Sequence, residues 1–124
     1  MKNDKLEKKF DLEAAKKDKE ILKATASQVI KDFAMLGMEI HFPLNAENTY
    51  PELFNQLSQH LEQLLENDHD KLLNLLYKID VSDKLIKTRY SEYEKAQDIL
   101  ADKILQRELL KVLTRLYFQE KPGK

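Results

Sequence analysis

Only two glycines and three prolines interrupt 124 residues, and this shortage of turn-formers constrains the fold more than any other feature. A chain so poor in both has few places to reverse sharply, so it must build long helices joined by few turns. Its length suits about one domain with one modest core. The apolar residues, 42% of the chain, are dispersed in clusters of four or fewer, too short for a membrane-spanning helix. The opening Met1-Lys2-Asn3-Asp4-Lys5 leads into further charge rather than an apolar run, so no secretory signal is read there. With no cysteine, disulfides, thiolate metal sites and a Cys nucleophile are excluded. A cytoplasmic location is the resulting expectation.

Residues 1–20 alternate lysines with acids around Leu6, Phe10 and Leu12. They read as a charge-paired helix, or as a partly disordered segment that becomes helical near Leu12. Leu22, Ala26, Val29, Ile30, Phe33 and Leu36 then recur at helical spacing, and Gly37 suits the left-handed position that closes a helix. Met38, Ile40 and Phe42 alternate with Glu39 and His41 until Pro43 ends the run. A single short strand makes no sheet, so an ordered extended loop near 38–48 that tucks Ile40 and Phe42 against the helices is expected.

Thr49 and Glu52 form a capping box with Pro51 inside the first turn, opening a helix that turns Leu53, Leu57, Leu61, Leu64 and Leu65 inward. One unbroken helix over 51–79 would place Asp68 on the buried seam, a costly position. A break is therefore expected, with Asn67 closing one helix and Asp68 capping the next, which carries Leu72, Leu73, Leu76 and Ile79 inward. Asp80-Val81-Ser82 is a second turn, with Ser82 capping a brief helix around Leu85 and Ile86. Ser91 and Glu94 repeat the capping box and open the longest helix, striped by Ala96, Leu100, Ile104, Leu109, Val112, Leu113 and Leu116. Lys111 and Arg115 near its end complement the helix dipole. The predicted architecture is all-α, a small bundle of four to five helices. It comprises a charged segment over 1–20, a single helical domain over 21–118 and a flexible tail over 119–124.

Charge is nearly balanced overall, at −1, yet Glu39 to Asp70 contains no Lys or Arg while holding seven carboxylates and all three histidines. Such a stretch suits a basic partner. Because it is divided among a loop, a helix and a turn, it reads as an electrostatic bias on one side of the bundle rather than one patch.

Four constellations could carry function, and each has a simpler account. Glu62, Glu66 and His69 would share the face of an unbroken helix, and Glu66 to His69 reads Glu-x-x-His, the motif of carboxylate-bridged metal bundles. Those bundles need two such motifs and two further glutamates, so a solvated surface is the simpler account. Residues 72–89 mimic a helix-turn-helix in which Lys84, Lys87 and Arg89 would contact DNA. Leu76 stands where close helix crossing wants a small residue, Asp80 replaces the turn glycine, and the neighbouring stretch is acidic, so nucleic acid is the weaker alternative. No phosphate-binding glycine loop and no nucleophile motif is present; His60 reads as a boundary histidine beside the leucine stripe, and His41 as the freest of the three. Catalytic, cofactor-binding and metal-ligating residues are accordingly not assigned. Tyr90, Tyr93, Tyr117 and Phe118 could anchor an interface or simply close the bundle ends.

The run from His60 to Asp68, the leucines of 72–76 and Tyr77-Lys78-Ile79-Asp80-Val81-Ser82 resemble a small bacterial all-helical family. Its pattern is leucine pairs, an Asn-Asp break and a Tyr-basic-Ile-Asp-Val-Ser turn. Ala101 to Arg107 is similar to that family's closing helix, so the likeness spans roughly 50–118. It implies a helical cytosolic bacterial protein and brings no functional residues with it. The resulting expectation is a non-catalytic module for protein–protein interaction or self-association, without membrane contact. The partner surface is sought at Glu52, Glu62, Glu66, His69, Tyr90, Tyr93, Tyr117 and Phe118.

Overall fold

The computed structural model describes residues 11–43, 48–82, 84 and 95–120. Five helices and no strand occur among them: α1 (Leu12–Ala15), α2 (Lys19–Ala34), α3 (Thr49–Asn67), α4 (His69–Ile79) and α5 (Ala96–Glu120). The expected all-α bundle is what the chain forms. The expected brief helix around Leu85 and the expected cap at Ser91, like the termini 1–10 and 121–124, lie outside the described residues; the body of the expected longest helix is α5.

Side-chain caps set most of the boundaries. Asp11 accepts from the Ala14 N–H at 3.0 Å and starts α1, while Asp18 accepts from Glu20 and Ile21 and starts α2. The helical turn at Leu12 is thus separate from the long helix that follows. It is also packed, since Ala15 is buried, so the core reaches into the segment expected to be merely charged.

Gly37 closes α2 at φ 75°, with Met38 N–H bonded to Phe33 O at 3.0 Å and Gly37 N–H to Ala34 O at 3.0 Å. That pairing is a Schellman loop, and its two flanking residues, Phe33 and Met38, are both buried. The expected role of Gly37 holds.

Residues 38–43 form neither helix nor strand, as expected of a loop whose residues 44–47 lie outside the described residues, and a side chain supplies what a second strand would. Gln56 accepts from His41 N–H at 2.7 Å and donates to His41 O at 2.9 Å, so both backbone groups are satisfied. His60 Nε2 donates to Glu39 O at 2.9 Å, and its ring centroid lies 6.2 Å from that of Phe33. His60 is therefore the packed boundary histidine expected. Met38 and Ile40 are buried, but Phe42 is 43% exposed, against expectation. It lies one position beyond the Gln56 clamp, next to buried Pro43.

α3 starts one residue earlier than the capping box implies. Asn48 takes the cap position without a side-chain cap bond, and Thr49 sits buried inside the first turn. At the far end the expected break is present. Asp68 (φ −153°) ends α3 and accepts from Lys71 N–H at 3.1 Å to begin α4, leaving its carboxylate exposed.

Asp80 terminates α4 in the left-handed region at φ 72°, with Val81 N–H bonded to Leu76 O at 2.9 Å. A non-glycine residue there costs about 1–2 kcal/mol. Arg107 Nη2 from α5 reaches the Asp80 carboxylate at 3.0 Å. Beyond it, Ser82 Oγ accepts from Lys84 N–H at 3.2 Å, as a cap at Ser82 requires.

α5, about 37 Å long at 1.5 Å per residue, is the axis of the bundle and touches each of the other four helices. It buries Leu100, Ala101, Ile104, Leu105, Leu109, Leu110 and Val112, a stripe wider than the sequence suggested. The core joins Leu100, Ala101, Ile104 and Leu105 to Phe33, Leu53, Leu57, Leu61, Leu72, Leu75, Leu76 and Ile79. Each large apolar side chain so buried contributes roughly 1.5–3 kcal/mol. Because α5 continues to Glu120, Lys111 and Arg115 are not in its last turn, and the dipole role expected of them does not apply. For the same reason Gln119 belongs to the helix rather than to a tail.

Candidate functional site

The residues singled out in sequence fall into three separate places. Glu66, His69 and Asp70 are exposed at the corner where α3 meets α4. Glu62 lies one turn back on α3, where it accepts from Gln97 of α5 at 3.1 Å, and Glu52 is half-buried near the start of α3. Tyr117 and Phe118 stand near the other end of the molecule's long helix, their rings edge-on with centroids 5.3 Å apart. Tyr90, Tyr93, Lys87 and Arg89 lie outside the described residues; Lys84 is exposed. The acidic stretch is thus spread over several elements, as its division in the sequence suggests.

Each histidine of that stretch has a local partner. His69 Nε2 donates to Leu65 O at 2.7 Å, which stitches the α3–α4 corner. His41, largely exposed, has its Nε2 3.4 Å from Glu39 Oε1. The cap at Asp68 breaks the helix that Glu66-x-x-His69 would need, and no group of three or more His, Asp or Glu among the described residues is arranged to hold a metal ion.

What the structure adds is the outward face of α4. The sequence reading placed Leu73 inward, and here it is overturned: Leu75 takes the buried position, and Leu73 is 41% exposed. Tyr77, one turn further along, is 90% exposed. The reason is helical phase. Leu72, Leu75, Leu76 and Ile79 already fill the stripe that faces the core, so the second leucine of the 72–73 pair must turn to water. Asp70, Leu73, Tyr77 and Asp80 share one outer line, at spacings of three, four and three residues. Beside this line lies a groove of about 840 Å³ with Leu73, Leu76, Tyr77 and Val81 as its apolar lining and Asn74, Asp80 and Ser82 as its polar lining. An apolar pair is therefore held out to solvent with a carboxylate at each end.

The second addition is buried. Glu108 is 0% exposed on α5, and Asp32, 5% exposed, faces it from α2. Asp32 Oδ1 accepts from Gln28 Nε2 at 3.0 Å, and Gln28 Oε1 accepts from Arg115 Nη2 at 3.2 Å. Lys111 Nζ is an ion-pair neighbour 3.2 Å from Glu108 Oε1, off the line of a well-formed hydrogen bond. Asp32 Oδ2 and both Glu108 oxygens have no hydrogen-bond donor among the described residues. Burial pushes the Glu108 carboxyl from its ordinary 4.5 up to about 8; the neighbouring Asp32 carboxyl adds to the rise, and Lys111 opposes it. The sequence did carry a signal for this pair. Glu108 lies four residues from both Ile104 and Val112, in phase with the buried stripe, and Asp32 follows Val29 by three.

No family model, curated protein or solved structure matches this chain. No helix among the described residues is long and apolar enough to cross a membrane.

Proposed function

We propose that this chain is a non-catalytic helical module that binds another protein through the outer face of α4, receiving a basic, apolar segment of its partner. The observation that carries this reading is the pair Leu73 and Tyr77, held in solvent beside a groove, with Asp70 and Asp80 at the two ends of the line. Tyrosine on a rigid helix offers a large contact area with little entropy to lose, which is why it recurs as an interface anchor. A helix that projects apolar side chains at this spacing is the usual complement of an amphipathic partner helix.

Charge selects among partners. Two copies of this face packed antiparallel would oppose Asp70 and Asp80, and packed parallel would oppose each to its own copy. Either arrangement sets like charges together, so a different, basic protein suits the face better than a second copy. Exposed Glu66 at the corner extends the same bias. The family likeness supports a bacterial cytoplasmic setting.

The test is a photo-crosslinking amino acid placed at position 77 in the native host, with one at exposed Lys23 on α2 as the control. Position 77 is expected to capture a partner that position 23 does not, at a segment rich in Lys or Arg. Capture of a second copy, of duplex DNA, or of nothing beyond the control contradicts the reading.

A further inference from the structure

We infer that Asp32 and Glu108 form a proton-operated latch between α2 and α5, closed when the two carboxyls hold one proton between them and released when that proton leaves. Both groups are buried, and three of their four oxygens have no donor among the described residues. Two carboxylates cannot donate to each other. One shared proton supplies the missing donor, leaves a single negative charge on the pair, and balances that charge with Lys111.

From α2, Asp32 faces Glu108 directly, and Gln28 ties Asp32 to Arg115. Lys111 lies on α5 itself. From α4, Asp80 is directed to the neighbouring Arg107; from α3, Glu62 is directed to Gln97; and Lys16, just past α1, pairs with Glu13 and lies over the Tyr50 ring. Among the described residues Lys111 supplies the counter-charge at Glu108, so loss of the proton would bury two negative charges against one positive charge. The contacts pair Gln28 with Arg115 and Asp32 with Glu108, which sets the helices antiparallel and puts the latch across their seam.

The pH dependence runs opposite to that of an ordinary paired carboxylate. Glu108 holds its proton to about 8 in the folded chain and to its ordinary 4.5 when unfolded. Its stabilising contribution is fully present below about 4.5 and is lost as pH rises through about 8. Between those values the folding equilibrium should fall about tenfold per pH unit from this one proton.

The experiment is denaturant unfolding of the full chain from pH 5 to pH 9, for the wild type and Glu108→Gln, with the Glu108 side-chain carboxyl followed by carbon NMR. Glu108→Gln keeps a donor toward Asp32 without a titrating proton, so it should remove most of the slope; Asp32→Asn, which donates to an ionised Glu108, should shrink it as an independent variant. Spin labels at exposed Lys31 and Lys103 read the α2–α5 separation, which should broaden above pH 8 in the wild type and not in Glu108→Gln. Equal slopes in the wild type and Glu108→Gln, Glu108 titrating near 4.5, or an unchanged separation above pH 8 overturns the latch.

Discussion

The outer face of α4 and the seam between α2 and α5 depart from the same rule in opposite directions. On α4, Leu73 and Tyr77 keep apolar surface in water; in the seam, Asp32 and Glu108 hold carboxyls out of it. Scattered exposed apolar residues are common, but a pair one turn apart beside a groove is the surface we propose for contact. A buried carboxyl pair is the reverse case, with its energetics tied to folding. The difference teaches where each feature should report: changes in the seam should move stability and its pH dependence, and changes on α4 should move binding alone.

Replacing Glu108 with Ala should separate the two regions most sharply. It empties a fully buried position and leaves the buried Asp32 without its neighbouring carboxyl, a loss of about 3 kcal/mol in equilibrium unfolding at pH 7. A loss below about 1 kcal/mol would mean that the seam tolerates removal of Glu108, and the contrast with α4 would fail. The two ends of α4 offer smaller probes. Asp68→Ala removes the cap on Lys71 N–H and should lower stability by about 1 kcal/mol in the same measurement. Asp80→Gly relieves a left-handed residue while removing an exposed ion pair with Arg107, so a net gain of about 0.5 kcal/mol is expected. A loss of more than 1 kcal/mol would show the Arg107 contact to be the stronger restraint on α4.

Local signals in the sequence carried the helices, and phase errors account for what was misplaced. Gly37, Asp68 and the leucine stripe of α3 behave as their residue types require, because caps and periodicity act over a few residues. The separation of α1 from α2 was less visible, since Lys16-Lys17-Asp18 reads as more charged helix until Asp18 is seen capping Glu20 and Ile21. The clamp of Gln56 on His41 spans fifteen residues and has no local signature. The candidate surface was half legible. Glu66 and His69 lie at the corner next to the proposed face, but counting Leu73 as core hid that face itself. Glu108 was passed over because a charged residue in phase with a stripe is ordinarily read as an interruption, and only its neighbour on α2 shows why it is tolerated.

The smallest stability effect should belong to α4, and it bears on function most directly. Leu73→Ser combined with Tyr77→Ser should unfold within about 0.5 kcal/mol of the wild type, as exposed substitutions do, while abolishing capture of the partner found by crosslinking at position 77 when that partner is offered in solution. A stability loss of 2 kcal/mol or more would make this face part of the packed core, and retained partner binding in a stable double variant would place the docking surface elsewhere.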